Sequence, residues 1–239
     1  MFISFEGGEG SGKSTQAALL AERLRETGRR VSHLREPGST GLGNYLRHWL
    51  KSNDRSMTHE AELFLFTAAR AELVRRVVKP ALRDGEIVVC DRYADSTTAY
   101  QGYGRGLPLA AVRAANHLAA GGVWPDVTFL LDGAPHALLM RARAQAALYD
   151  ERDAADRERD GWQRAQDGGE ERFERAPLAF HERVRAGYLR LAEEEPERWR
   201  VLDAAQGAGL IAEQVWDEVA RLEARAGAAS VAGERLPGM

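Results

Sequence analysis

The segment G-G-E-G-S-G-K-S at residues 7–14 constrains the fold more than any other part of this sequence. It fits the pattern G-x-x-x-x-G-K-S/T, with an apolar run before it and a helical pattern of apolar residues after it. The backbone N–H groups of such a loop, with the amino end of the following helix, bind phosphate oxygens. Lys13 is placed to reach the β- and γ-phosphates, and Ser14 to ligate Mg²⁺. The residues predicted to bind a nucleoside triphosphate are Gly7, Gly8, Glu9, Gly10, Ser11, Gly12, Lys13, Ser14 and Thr15.

Short apolar runs alternate with helical patterns along the rest of the chain. The runs predicted to be strands are residues 1–6, 31–35, 87–90, 127–131 and 199–202. Helical patterns follow the phosphate-binding loop, cover residues 59–83 with an expected break or kink at Pro80, and cover about 210–225. This alternation predicts a three-layer α/β fold with a mainly parallel five-stranded sheet. We expect one domain over residues 1–226 and a flexible tail at 227–239, which is rich in small residues.

The third apolar run ends in an acid, Asp91. The carboxyl ends of parallel strands lie at the same edge of a sheet, so the Asp91 carboxylate is expected close to the phosphate-binding loop. An acid in that place faces the magnesium ion of the bound nucleotide, directly or through water. Asp91 and Ser14 are therefore the predicted metal ligands, and Asp91 and Lys13 are also predicted to be catalytic.

Composition narrows the classes of function. The 33 basic and 36 acidic residues give a net charge of −3, so no strong overall field attracts nucleic acid or anionic lipid. No apolar run approaches the roughly 18 residues that cross a bilayer, and the apolar start of the chain reaches Glu6 too soon for a signal peptide. Cys90 is the only cysteine, which excludes an intramolecular disulfide and a cysteine-rich metal site. We expect a cytoplasmic protein with no membrane or nucleic-acid partner.

Residues 150–175 are unusually charged, with ten acids and six arginines. Composition alone leaves two interpretations open. The segment is either a solvated helical hairpin or flexible loop, or a mobile lid that brings arginines to a phosphate.

Five motifs follow one another along the chain. They are F-E-G-G-E-G-S-G-K-S-T-Q at 5–16, R-E-P-G-S-T at 35–40, L-F-T-A-A-R at 65–70, D-R-Y at 91–93 with S-T-T-A-Y-Q-G at 96–102, and R-F-E at 172–174 leading to E-R-V-R-A-G-Y at 182–188. In kind and order they resemble those of thymidylate kinases, P-loop nucleoside monophosphate kinases that convert dTMP to dTDP with ATP. The resemblance implies the fold of that group with a helical lid, MgATP as the phosphate donor, dTMP as the acceptor, and a homodimer.

The resemblance also implies how the base is recognised. Phe66 would stack on thymine, and Arg70, four residues later on the same helix face, would donate to its O4 carbonyl. Thr97 and Gln101 would lie at the base edge that carries N3. We expect Arg70→Ala to lose selectivity for thymine while ATP binding stays intact.

Sugar and phosphate contacts are implied in the same way. Glu9 would accept a hydrogen bond from the free 3′-hydroxyl, and Tyr100 would crowd C2′ and so favour deoxyribose. Arg92 would hold the acceptor phosphate, with Arg35 as a second clamp, because a planar guanidinium binds two phosphate oxygens at once.

The lid departs from the family pattern. No variable position of the phosphate-binding loop is basic, so the catalytic arginine is expected from a lid at about 141–175. Arg141 and Arg143 resemble the start of the family's lid and are the predicted catalytic arginines of the lid, with Arg172 as third choice. They join Lys13, Asp91 and Arg92 as the predicted catalytic residues. Gln145 stands where a third arginine often follows, and about 148–169 is an insertion.

Other functions remain open at this stage. The nearest is a different phosphate-loop kinase, such as a deoxynucleoside or guanylate-type kinase. A nucleotide-binding regulator or scaffold without turnover is a second, although Lys13, Asp91 and Arg92 argue against it. Nucleic-acid binding through the charged segment is a weak third, because that segment holds more acids than arginines.

Overall fold

A computed structural model describes residues 1–51, 57–156, 173 and 176–233. Its five strands are β1 (Phe2–Gly7), β2 (Val31–Arg35), β3 (Ile87–Asp91), β4 (Val127–Asp132) and β5 (Trp199–Asp203). They form one sheet in the order β2-β3-β1-β4-β5, and every neighbouring pair is parallel. The prediction of a parallel five-stranded α/β sheet is confirmed, and the predicted strand positions are right to within one residue at the start and one at the end.

The carboxyl ends of the three central strands meet at one edge of the sheet. Phe5 of β1 pairs with Asp91 of β3, and Gly7 pairs with Leu131 of β4. Arg35, the last residue of β2, pairs with Asp91. This register brings the phosphate-binding loop, Asp91 and Arg35 together, at the edge where open α/β sheets bind ligands.

Helices cover both faces of the sheet. They are α1 (Lys13–Glu26), α2 (Gly41–Lys51), α3 (His59–Leu73), α4 (Lys79–Arg83), α5 (Ala94–Thr97), α6 (Leu109–Ala120), α7 (Pro135–Asp156), α8 (Leu178–Glu194) and α9 (Ala208–Gly233). A core that includes Phe5 and Phe129 packs one face against α1 and α9, and a second core around Phe2 and Leu73 packs the other. The predicted three-layer arrangement is confirmed. Within the described residues, no helix combines the length and apolarity that a membrane span requires.

The helical stretch at residues 59–83 changes its winding before Pro80. Two α-helices, α3 and α4, are joined without a break by a wider π-helical turn at Val74–Val78. The N–H of Lys79 bonds back to the carbonyl of Val74, five residues earlier. Pro80 has no N–H to donate to the preceding turn, which is where a departure from α geometry is expected.

The carboxyl-terminal helix and the lid differ in how far the structure describes them. α9 continues to Gly233, beyond the expected start of a flexible tail at 227, and residues 234–239 lie outside the described part. α7 includes the start of the expected lid and runs to Asp156. Most of the charged insertion, with Arg172, lies outside the described residues.

Candidate active site

A cavity of about 990 Å³, including its open mouth, lies at the carboxyl edge of the sheet. Twelve of the residues predicted to form the site line it: Glu9, Gly10, Lys13, Ser14, Arg35, Phe66, Arg70, Asp91, Arg92, Thr97, Tyr100 and Gln101. The other predicted loop residues, Gly7, Gly8, Ser11, Gly12 and Thr15, form the end of β1, the loop itself and the first turn of α1. The phosphate-binding loop, an aromatic ring and several arginines thus line the same cavity.

The phosphate-binding loop is shaped by glycines in conformations that other residues avoid. Gly10 and Gly12 have φ angles of 73° and 92°. A Cβ at Gly10 would lie 2.1 Å from the carbonyl oxygen of Leu138 on α7, so the loop and that helix are in direct contact. The Lys13 ammonium folds back over the loop and donates to the Gly8 carbonyl at 2.5 Å and to Ser11 Oγ at 3.2 Å. Burial, reinforced by the Arg92 charge, lowers the pKa of Lys13 to about 8.

Ser14 and Asp91 form an oxygen pair beside this loop. Ser14 Oγ donates to Asp91 Oδ2 at 2.5 Å. Arg35 contacts both, with Nε 3.2 Å from Asp91 Oδ2 and Nη2 3.0 Å from Ser14 Oγ. Burial opposes ionisation of Asp91, but the nearby charges of Lys13 and Arg35 outweigh it and lower the pKa of the carboxyl. A hydroxyl beside an ionised carboxylate is a donor set that fits Mg²⁺.

Arg92 is the centre of a second polar group. It lies at a φ of 71° directly after β3. Its guanidinium donates to Glu9 Oε1 at 3.0 Å and to the Tyr100 hydroxyl at 3.2 Å. The Tyr100 hydroxyl in turn donates to Glu9 Oε2 at 2.6 Å. The three residues predicted to hold the sugar and acceptor phosphate are therefore mutual neighbours.

Glu6 helps to hold Arg92 in place through shared hydrogen-bond partners, a role that the sequence analysis missed. Its buried carboxylate accepts from the backbone N–H of Tyr93 at 2.7 Å, from Ser96 Oγ at 2.5 Å and from the Tyr188 hydroxyl at 3.0 Å. Arg92 also donates to those two hydroxyl groups. Burial, helped by the charge of Asp95, raises the pKa of Glu6 to about 7. An acid that ends a strand immediately before the loop was the available signal.

Phe66 and Arg70 lie on the cavity side of α3. Phe66 is half-buried at the cavity wall, 6.2 Å between ring centroids from Phe173. Arg70 is only 1% exposed and donates to Thr97 Oγ1 at 2.8 Å. It also forms an ion pair with Glu36 and a 2.6 Å hydrogen bond with Asn116 Oδ1. The side of the cavity opposite the loop is thus an aromatic surface next to a fixed guanidinium.

Two partners of Arg70 were not identified from the sequence. Glu36 follows β2 within the R-E-P motif, and its place at the carboxyl edge of the sheet is a usable signal. Burial raises the pKa of Glu36 although Arg70 opposes the shift. Asn116 is on α6, and nothing in its local sequence distinguishes it from a surface residue.

The predicted lid arginines lie away from the cavity. Arg141 and Arg143 are exposed on α7, and neither lines the cavity wall. Arg141 Nη1 donates to the carbonyl of Ala204, after β5, at 2.9 Å. Arg172 lies outside the described residues. The structure therefore does not bring the predicted lid arginines to the other site residues.

Comparisons with known proteins agree on one family. The thymidylate kinase family profile matches residues 5–159. A thymidylate kinase of Solidesulfovibrio magneticus is 47% identical over 223 residues, 93% of this chain and 100% of that protein. One of Thermomicrobium roseum is 45% identical over 224 residues, 94% of this chain and 96% of that protein.

A solved structure is similar as well. The crystal structure of thymidylate kinase from Ehrlichia chaffeensis matches with a TM-score of 0.62 and 32% identity, covering 84% of this chain and 91% of that one. The five-stranded parallel sheet described above is consistent with that match. With its motifs, cavity and relatives in agreement, this chain belongs to the thymidylate kinase family.

Proposed function

We propose that the cavity binds dTMP against Phe66 and Arg70 while the phosphate-binding loop holds ATP. The enzyme phosphorylates dTMP to dTDP, as its family membership indicates. The observation that supports this use of the cavity is that Phe66 and Arg70 share one cavity with Lys13. A nucleoside monophosphate that spans this cavity would direct its phosphate toward the loop.

The donor side consists of the loop and the Ser14–Asp91 pair. Residues 7–15 would surround the β- and γ-phosphates with backbone N–H groups, and Lys13 would turn from the Gly8 carbonyl to the phosphate oxygens. Mg²⁺, held by Ser14 and Asp91, would supply positive charge to those oxygens. Arg35 would then move from this pair toward the acceptor phosphate.

On the acceptor side, Arg92 would bind the phosphate of dTMP. Its hydrogen bonds to Gly7 and Ser96 hold the guanidinium in place as the phosphate arrives. Glu9 would exchange its bond from Tyr100 for one from the 3′-hydroxyl, and Tyr100 would then contact C2′. A phosphate oxygen of dTMP is the nucleophile, so the protein needs to align the reactants rather than supply a nucleophile.

Base recognition would rest on stacking and on fixed hydrogen bonds. Stacking of a base on an aromatic side chain such as Phe66 contributes ~1–3 kcal/mol. Arg70, held by Glu36 and Thr97, would donate to O4, and Thr97 and Gln101 would face N3. We assign the catalytic lid charge to Arg141 and Arg143, which must move to reach the cavity, and keep Arg172 as third choice.

A substrate panel with a matched variant tests the assignment. Wild type, Arg70→Ala and Arg198→Ala are compared on dTMP, dUMP, dCMP, dGMP and thymidine, with ADP release as the readout. Arg198 is the control because its side chain is also largely buried, at 10% exposed, and forms an ion pair with Asp95 outside the cavity. We expect Arg70→Ala to lose at least tenfold in preference for dTMP with ATP binding kept, and Arg198→Ala to keep that preference.

The panel also separates the alternatives. An unchanged preference in Arg70→Ala refutes the role of Arg70. ATP binding without dTMP-dependent ADP release in wild type favours a nucleotide-binding regulator instead. Because removal of Arg70 leaves Glu36 buried without its partner, the variant's thermal stability is measured alongside.

We infer a homodimer that works in the cytoplasm. Exposed apolar side chains on three adjacent helices support the dimer: Leu42 and Tyr45 on α2, Phe64 on α3 and Leu118 on α6. Such a patch is typical of a protein–protein contact. The single cysteine, Cys90, is in keeping with a reducing compartment.

A further inference from the structure

The side-chain amide of Gln101 is held in one orientation from outside the cavity. Its nitrogen donates to Glu62 Oε1 at 2.9 Å. Its oxygen makes no hydrogen bond to any described residue, and Gln101 lines the cavity. The free acceptor of this amide is therefore the group available to a ligand.

Glu62 dictates this orientation because an ionised carboxylate only accepts hydrogen bonds. If the amide turned over, its oxygen would lie against the carboxylate oxygen. Arg105 holds the Glu62 carboxylate by a two-point contact, Nε to Oε1 and Nη2 to Oε2, both at 3.1 Å. Glu62 is fully buried, so water does not offer the amide an alternative partner.

The position of Glu62 on α3 connects this pair to the base-binding surface. Glu62, Phe66 and Arg70 are spaced four apart and so share one face of the helix. Phe66 and Arg70 line the cavity, and Glu62 reaches Gln101 just behind its wall. One helix thus carries the stacking ring, the donor to O4 and the residue that orients the third contact.

We propose that Glu62, held by Arg105, is a positioning residue that makes Gln101 present an acceptor to the N3–H of a uracil-type base. Cytosine carries an acceptor at N3, so the fixed Gln101 oxygen repels it. The proposal rests on the function proposed above and adds a cause for rejection of cytosine nucleotides. A site rejects a ligand that leaves one of its buried polar groups without a hydrogen-bond partner more strongly than a ligand that differs only by a methyl group.

The test compares dUMP with dCMP, which differ only at the N3–C4 edge. Their dissociation constants are measured by competition with dTMP, for wild type and Glu62→Gln. An amide at position 62 can donate or accept, so Gln101 is free to turn over. We expect wild type to prefer dUMP at least tenfold and Glu62→Gln to reduce that ratio at least fivefold, with ATP affinity unchanged.

Two further variants keep the result interpretable. Glu62→Gln/Arg105→Gln removes both charges together, so neither is left buried without its partner, and it should show the same loss of discrimination. Asp95→Asn disrupts a comparable buried ion pair, with Arg198, outside the cavity, and should keep the wild-type ratio.

Each outcome has a definite meaning. A folded Glu62→Gln or double variant with the wild-type ratio overturns the proposal, and so does an equal loss in Asp95→Asn. If wild type neither binds dUMP nor phosphorylates dTMP, it is the proposed function that fails. A wild-type measurement needs no variant: equal affinity for dTMP and N3-methyl-dTMP also overturns the proposal.

Discussion

Burial and neighbouring charges displace the pKa values of several ionisable side chains at the site. Lys13 is shifted down to about 8 and Glu6 up to about 7, so each is held where its charged form is disfavoured. The pKa of Asp91 is lowered, unlike that of Glu6, because the charges of Lys13 and Arg35 are close to its carboxylate. Groups displaced in this manner concentrate at functional sites, in line with the role assigned to the cavity.

The lowered pKa of Lys13 makes a pH dependence of ATP binding testable. Below about pH 8 the ammonium is charged and attracts phosphate, and above it the free enzyme progressively loses that charge. Above pH 8 the ATP affinity of wild type should therefore fall as the pH rises, by at most roughly tenfold per pH unit. Titration calorimetry from pH 7 to 9.5 measures it.

Lys13→Arg is the matched control for that measurement. A guanidinium stays protonated over the whole range, so its ATP affinity, although weaker, should be nearly independent of pH. A wild-type affinity that stays constant to pH 9.5, or a variant that falls in parallel, contradicts the assignment of the titration to Lys13.

Local sequence patterns revealed the residues proposed to contact ligand but not the residues that hold those side chains in place. Lys13 and Asp91 belong to a short motif and to a strand end, so spacing alone placed them. Glu36, Glu62 and Asn116 act through partners 34 to 46 residues away, as in the bond between Arg70 and Asn116. Only the packing of α3 against α6 and the sheet brings such partners together, and no local pattern encodes it.

Among the elements, the contact between the phosphate-binding loop and α7 leaves no space for a side chain. The loop and the helix are closest at Gly10. A Cβ added there would lie 2.1 Å from the Leu138 carbonyl oxygen and 3.0 Å from the Ala142 backbone nitrogen. The expected lid begins within α7, at about residue 141. Displacement of this helix would therefore affect both the loop and the lid.

Gly10→Ala should destabilise the protein and abolish tight ATP binding. The left-handed conformation costs an alanine about 1–2 kcal/mol, and the clash with α7 adds about 1–3 kcal/mol. Gly28→Ala is the control: it has a similar φ of 82° but no atom within 4 Å of the added Cβ. Urea unfolding should show the larger loss for Gly10→Ala, and equal losses would show that the contact with α7 is not tight.

The sequence predicted the strands better than the helices. The three central strands, β1, β3 and β4, are short apolar runs buried on both faces, and such a run is visible without context. α2, α6 and α8 were not predicted. Alanine, arginine and glycine interrupt the apolar stripes of α6 and α8, whereas α2 has a clear apolar face, with Leu46 and Leu50 buried, that the sequence analysis missed. Gly187 on α8 illustrates the reason: it packs against the Tyr103 ring, a contact that requires a small residue and not an apolar one.

For the whole molecule, the apolar patch on α2, α3 and α6 predicts self-association. Light scattering should give a mass near twice the 26.4 kDa of the chain at micromolar concentration. Phe64 is 63% exposed within the patch, and Phe64→Glu should shift the mass to that of one chain by placing a charge in the contact. Leu210→Glu is the control, because Leu210 is equally exposed but on α9, across the sheet.

A single-chain mass for wild type at these concentrations would refute the dimer. A shift caused by Leu210→Glu alone would instead place the contact on the α9 side.

The central place of β1 has a consequence for biosynthesis. This strand is synthesised before its two hydrogen-bonded neighbours, residues 87–91 and 127–132. Until residues up to about 130 have emerged from the ribosome, Ile3 and Phe5 have no complete sheet in which to be buried. The nascent chain thus exposes an aggregation-prone apolar strand while residues 8–132 are made, and chaperone capture during that interval should determine the yield of folded protein.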